Sequence, residues 1–82
     1  MTEDRIKEYI TKQFPLARKR GVRNDDPLLE SGILDSLGIL DLVTYLEEEF
    51  GISVDDEELV PDNFQNIERL AAFVSEKQNS SP

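Results

Sequence analysis

Asp35-Ser-Leu-Gly-Ile-Leu-Asp-Leu-Val-Thr-Tyr-Leu-Glu-Glu-Glu-Phe-Gly51 decides how the chain folds. The stretch holds no proline. It opens on two residues that cap helices and closes on glycine, which most easily takes the left-handed turn after a helix. At about 100° per residue, with Leu37 at zero, Leu42 falls at about 140°, Leu46 at about 180°, Ile39 at about 200°, Phe50 at about 220° and Val43 at about 240°. These five cover an arc of roughly 100°, the width of a core-facing stripe. The spacing predicts a helix over 36–50. Leu37, Leu40, Asp41, Thr44 and Glu48 lie on its opposite side, so two leucines stand among carboxylates, away from the core stripe.

Upstream, Ile6, Tyr9, Ile10 and Phe14 form a helical stripe, with Thr2 able to cap and Glu3 and Asp4 suited to the positive end of the helix dipole. The first helix is expected over about 2–14, stopped by Pro15. Pro15, Gly21, Asn24, Pro27 and Gly32 break the chain between residues 15 and 35, which reads as a long loop pinned by Leu28, Leu29, Ile33 and Leu34. A loop of that length in a small domain points to function. Downstream, Ile52 and Val54 lead into a short acidic helix over about 55–60, ended by Pro61. A last helix comes over about 66–77, with Ile67, Leu70, Ala71 and Val74 as its apolar stripe and Asp62, Asn63 or Asn66 as its cap. The tail from Gln78 is expected to fray. The fold class is all-α: a single domain over 1–82, a small bundle of three main helices and one short one, with a long loop between the first and second.

Composition narrows the function. Leu, Ile, Val and Phe make 25 of 82 residues, enough for a core despite a net charge of −9. Without cysteine there is no disulfide, no zinc-thiolate site and no thiol nucleophile. Without histidine the commonest general base is gone and a Ser/His/Asp triad cannot be assembled. Autonomous catalysis is not expected. The acidity argues against nucleic acid or an anionic membrane as partner. No apolar run is long enough to span a bilayer, and MTEDRIKEY lacks the apolar region of a secretory signal, so a cytoplasmic monomer is expected.

The charge is unevenly placed. Residues 1–23 carry seven basic and three acidic residues, whereas between Asn24 and Glu68 fourteen acids occur with no Lys or Arg. Surfaces ordinarily mix the two signs, so the cation-free stretch reads as selected for a basic partner. The exposed side of the 36–50 helix then has two readings: a docking face with apolar contacts ringed by steering charge, or leucines covered by the long loop. Ser36 and Asp35 also have two readings. Either can cap the helix, which is ordinary, and one cap is enough. The other is then free, and a hydroxyl at a helix N-terminus is a good place for a phosphodiester. The acidic run Asp55, Asp56, Glu57, Glu58 and Asp62 lacks the alternating ligands and central glycine of an EF-hand loop, so no metal site is expected. A small acidic interaction module without a prosthetic group is the alternative to a modified carrier.

Gly32-Ile-Leu-Asp35-Ser36-Leu37-Gly-Ile-Leu-Asp41-Leu-Val43, followed by Leu46-Glu-Glu-Glu-Phe50-Gly51-Ile52, resembles the acyl carrier protein family. The likeness spans essentially the whole chain and is sharpest over residues 28–54. It implies that a phosphopantetheinyl transferase attaches 4′-phosphopantetheine from coenzyme A to Ser36 and that acyl or aminoacyl groups ride on the arm as thioesters. It implies that Asp35 helps the transferase position magnesium, with Leu37 beside the attachment point. Activating and acyl-processing enzymes would bring basic patches to Leu37, Leu40, Asp41, Thr44, Glu47 and Glu48, with Glu57 and Glu58 of the short helix. In family members whose core opens to shelter an acyl chain, Ile39, Val43, Leu46, Phe50, Val54, Ile67 and Ala71 would line it; core packing explains the same residues. Gly38 stands where fatty-acid carriers commonly show an acidic residue, and Leu34 where a smaller one is frequent. The wording is closer to stand-alone carriers linked to amino-acid activation or specialised pathways. The basic run Arg18-Lys-Arg-Gly-Val-Arg23 is unusual in this family and would bind either the domain's own acids or a partner.

Overall fold

A computed structural model describes residues 2–79 of the chain. Helix α1 covers Thr2–Gln13 and turns Ile6 and Ile10 fully inward. It starts at Thr2 itself, so that residue lies in the first turn and not ahead of it. Pro15 does not begin a loop, as the sequence suggested, but opens a second helix, α2, over Pro15–Arg20. Proline lacks the N–H that a first helical position leaves unused, and its fixed φ already suits a helix, so it restarts one as readily as it ends one. Phe14 is the extended joint between the two, and it still donates its N–H to the Ile10 carbonyl at 3.0 Å. Arg18, Lys19 and Arg20 sit at the negative end of the α2 dipole, where cations stabilise it. Gly21, at φ +78°, ends the helix.

The shortened connection from residue 21 to 35 is held by backbone bonds to the far end of the chain. Leu28 N–H donates to the Gln65 carbonyl at 2.9 Å, and Glu68 N–H donates to the Asn24 carbonyl at 3.1 Å. Val22, Leu28, Ile33 and Leu34 are buried, so this loop is a wall of the core.

Helix α3 covers Ser36–Phe50 and closes at Gly51, whose left-handed backbone returns its N–H to the Glu47 carbonyl at 3.0 Å. Leu42 and Leu46 are fully buried, while Ile39, Val43 and Phe50 pack half-buried around them. The expected acidic helix over 55–60 is two 3₁₀ turns, Asp56–Glu58 and Pro61–Phe64. Asp55 and Glu58 cap each other's backbone in a closed box that uses up the first turn. Leu59, at ψ 62°, then leaves helical geometry. Pro61 starts the next turn and drives Phe64 into the core. Helix α4 covers Ile67–Asn79, capped by Asn66, whose Oδ1 accepts from Arg69 N–H at 2.7 Å. Ile67, Leu70 and Val74 are fully buried. Helices α1 and α3 both pack on α4, and no strand occurs among the described residues. Gln78 and Asn79, expected to begin a frayed tail, instead continue α4, where Gln78 Nε2 donates to the Phe50 carbonyl at 3.3 Å; the rest of that tail, residues 80–82, lies outside the described residues.

One ion pair ties the 3₁₀ segment to α4. Lys77 Nζ lies 2.8 Å from Glu58 Oε1, with the two side chains 22% and 28% exposed. The hydrogen bond from Lys77, with that from Asp55 N–H, holds the Glu58 carboxyl below its ordinary range, and the same bond to Glu58 raises the Lys77 ammonium. A depressed carboxyl stabilises the fold above its unfolded value, and that contribution is lost as pH falls through the folded one. Acidification below the ordinary glutamate range is therefore expected to loosen this segment. Melting temperatures of wild type and Lys77→Met against pH test it: the variant should show the smaller decline on the acid side, and parallel curves would refute the assignment.

Candidate functional site

Capping chemistry separates Asp35 from Ser36. Asp35 Oδ1 accepts from Gly38 N–H at 2.7 Å, which makes Asp35 the cap of α3. Ser36 is the first residue of the helix, it is exposed, and its hydroxyl makes no hydrogen bond to any described residue. Asp35 alone supplies the cap, and the Ser36 hydroxyl is not engaged by the backbone. Its oxygen stands at the positive end of a 15-residue helix whose first N–H groups have no intrahelical partner. A phosphodiester on that oxygen would be stabilised there and would meet no covering side chain. The site fits the group.

The turn that carries Ser36 is tightly backed. A Cβ on the buried Gly38 would come within 2.7 Å of Phe14 Cε1 and 3.1 Å of Leu34 Cδ1. The joint between α1 and α2 is thus pressed against the first turn of α3, where only glycine admits it. Helix α2 runs alongside the loop that leads to the serine. Arg20 Nη2 donates to the Ser31 carbonyl at 3.4 Å, and no described carboxylate forms an ion pair with Arg18, Lys19, Arg20 or Arg23. The basic run is not neutralised by the domain's own acids.

Along α3, Leu37 is 75% exposed and Leu40 57%, so the loop does not cover them. Asp41, Thr44, Glu48 and, on the 3₁₀ turn, Glu57 are exposed as well. Two of the expected contact residues are engaged inside the fold. Glu47 Oε2 accepts from Val54 N–H at 2.9 Å, and Glu58 is held by Lys77 and by Asp55 N–H. The free stripe therefore runs Leu37, Leu40, Asp41, Thr44, Glu48. Beside it is an edge that sequence reasoning missed. Tyr9 and Tyr45 stack with ring centroids 4.0 Å apart, and Tyr9 donates its hydroxyl to the Asp41 carbonyl at 3.2 Å. With Gln13 they form a cleft whose other wall is Asp41, Thr44 and Glu48. Burial pushes both phenols above the usual tyrosine range. Helical spacing assigns Tyr9 to the core stripe, and its separation from Tyr45 in sequence hides the pairing.

Of the residues suggested to line an acyl pocket, Leu46, Ile67 and Ala71 are buried, and Ile39, Val43, Phe50 and Val54 are partly buried against the core. They pack on one another and on the rest of the core. Among the described residues no group of three or more acidic side chains is arranged to hold a metal ion.

Comparison with known proteins gives a consistent picture. Residues 4–74 match a family profile described as a phosphopantetheine attachment site. A probable acyl carrier protein, PigG of Serratia sp. (strain ATCC 39006), is 35% identical over 74 residues, which cover 90% of this chain and 85% of that one. The D-alanyl carrier protein of Streptococcus pyogenes serotype M1 is 34% identical over 56 residues, 68% of this chain and 71% of its own. A chain from a structure described as "Crystal structure of FAD-dependent dehydrogenase" superposes with a TM-score of 0.75 at 29% identity, over 84% of this chain and 97% of that one.

Proposed function

The chain belongs to the phosphopantetheine-binding carrier family, and from that premise we propose that Ser36 is the residue to which the arm is attached. As a member it is a carrier, not an enzyme, and works with modifying and acyl-processing enzymes. The observation that carries the assignment is the division of labour at the head of α3: Asp35 caps, and Ser36 is exposed with an unengaged hydroxyl.

Transfer from coenzyme A forms a bond from Ser36 Oγ to the phosphorus bearing the pantetheine. It breaks that phosphorus's bridge to the second phosphate, releasing adenosine 3′,5′-bisphosphate, while the hydroxyl proton passes to a base of the phosphopantetheinyl transferase. The bound arm supplies a terminal thiol, the group this chain lacks, on which acyl groups are held as thioesters. This chain's own contribution is positional. Asp35 fixes the first turn of α3, and its carboxylate would help the transferase hold magnesium there. Leu37, Leu40, Asp41, Thr44, Glu48 and Glu57 offer the transferase and later partners an apolar contact within acidic surroundings, which speeds encounter with basic patches. Use of coenzyme A as donor favours the cytoplasm.

The likeness to a D-alanyl carrier supports an aminoacyl cargo. The likeness to a chain from a structure described as an FAD-dependent dehydrogenase supports such an enzyme among those that act on the cargo. A thioester suits that chemistry. It acidifies the adjacent C–H, which a dehydrogenase acting on the loaded carrier would use.

Because the chain has no cysteine, a thiol reagent tests the attachment directly. The untreated protein should give no thiol signal. After incubation with coenzyme A and a promiscuous transferase it should give one thiol per chain. No thiol, or more than one, would refute the assignment.

A further inference from the structure

We infer that the cleft between the stacked tyrosines and α3 receives one arginine side chain of a partner enzyme, so that α1 takes part in docking alongside α3. The inference rests on the carrier reading of Ser36 and specifies a contact that positions a partner over that site.

Two clefts share the tyrosine pair, and they differ in one respect. In the first, Arg5, Glu8, Lys12 and Glu49 surround Tyr9 and Tyr45. Both carboxylates there are matched by the chain's own cations: Arg5 Nη1 lies 3.1 Å from Glu49 Oε2, and Lys12 Nζ lies 2.8 Å from Glu8 Oε1. In the second, Gln13, Asp41, Thr44 and Glu48 surround the same two tyrosines. Neither the Asp41 nor the Glu48 carboxylate makes a hydrogen bond or ion pair with a described residue. The same aromatic pair thus stands beside two carboxylates twice, once with cations and once without. The chain does not fill the gap from α3 or its flanks, since no Lys or Arg occurs between Asn24 and Glu68, and the last residue of α1, which borders this cleft, is Gln13.

Donor and acceptor character narrows the occupant. Tyr9 donates its hydroxyl to the Asp41 carbonyl at 3.2 Å, Tyr45 donates to the Arg5 carbonyl at 3.1 Å, and Thr44 donates to the Leu40 carbonyl at 3.1 Å. With those hydrogens engaged, the side chains of the cleft present two carboxylates and hydroxyl lone pairs, and only the Gln13 amide can still donate. The complementary group is positively charged, rich in donors and able to lie against an aromatic ring. Guanidinium has five donors, no acceptor and a planar face that packs on aromatic rings, whereas ammonium is a compact, strongly hydrated point charge. Arginine and aromatic side chains are also the residues that most often carry the binding energy of protein interfaces.

Position gives the contact its use. Asp41 and Glu48 follow Ser36 by five and twelve residues, which at about 1.5 Å per residue places the cleft roughly 8–18 Å along α3 from the attachment point. Leu37 and Leu40 stand exposed in between. A partner resting on the two leucines and held by its arginine in the cleft is fixed in direction as well as in place, with its reacting groups turned towards Ser36.

The experiment uses the full chain after treatment with coenzyme A and a promiscuous transferase, with intact mass reporting the arm. Absence of the arm would overturn the carrier reading of Ser36, and the inference with it. Backbone amide shifts of the armed chain are then followed at low ionic strength while end-blocked Gly-Arg-Gly or Gly-Lys-Gly is added. The arginine peptide should move Tyr9, Gln13, Asp41, Thr44, Tyr45 and Glu48 together and saturably, and should bind about threefold more tightly than the lysine peptide. Gln13→Arg, which supplies the missing guanidinium from α1, should weaken binding of the arginine peptide by about fivefold or more, whereas Gln65→Arg, the same charge outside the cleft, should change it by less than about twofold. No saturable shift, equal affinity for the two peptides, shifts at Asp55, Asp56 and Glu57 as large as those at the cleft, or equal losses in the two variants would overturn the arginine site while leaving the carrier reading intact.

Discussion

Ser36→Ala should fold as the wild type does and accept no phosphopantetheinyl group. The two halves of this result come from separate atoms. The fold is indifferent because the α3 cap is Asp35, through the bond from Gly38 N–H, and alanine is at least as good a helix former as serine. An exposed substitution of this kind stays within about 0.5 kcal/mol of wild-type stability. Modification is lost because the nucleophilic oxygen is gone. After treatment with coenzyme A and a promiscuous transferase, the intact mass of the variant should be unchanged while the wild type gains a single arm. A mass gain on the variant, through Ser31, Ser53 or Ser75, would refute the site. Asp35→Ala is the complementary case, expected to cost about 1 kcal/mol of stability as a lost cap.

Phe14→Ala should be among the most destabilising single changes in the protein. Phe14 is buried, meets Tyr9 edge-on with centroids 6.1 Å apart, and presses on the α3 turn at Gly38. Truncating a buried phenylalanine costs about 3–5 kcal/mol. A domain of this size has roughly 0.05–0.15 kcal/mol per residue in total, so the variant should be partly unfolded at ambient temperature. Gly38→Leu attacks the same contact from the other side and should cost about 1–3 kcal/mol by overpacking. The pair should not add: with the ring removed, the leucine has somewhere to go, and denaturant titrations of the four proteins should give a coupling of about 0.5–3 kcal/mol that favours the double variant. Additive losses would show that the two positions do not share one space.

Local signals made α3 legible. Its cap, its closing glycine and the arc of Leu42 and Leu46 are all written within one stretch, and the two off-stripe leucines proved exposed. Pro15 misled because proline at a boundary marks a start as well as a stop; the helix-forming Leu-Ala-Arg-Lys-Arg run after it carried the better signal. The acidic helix broke in two because Asp55 and Glu58 satisfy each other within a single turn. What no local pattern could supply was the use made of individual carboxylates. Glu47 and Glu48 are neighbours in the sequence, yet one clasps Val54 and the other faces solvent, since only the tertiary path brings Val54 N–H to α3. Gly38 looked like a missing steering charge, and Phe14 turned it into a steric requirement.

The tyrosine pair gives this protein an optical readout of its own. There is no tryptophan, and Tyr9 and Tyr45 are the only two tyrosines, so its tyrosine emission arises from one stacked pair in one place. That place borders Asp41, Thr44 and Glu48. Emission and near-ultraviolet dichroism therefore report the α1–α3 seam without any label. A partner that is itself poor in tyrosine and tryptophan could be titrated onto the carrier by the change in that signal alone.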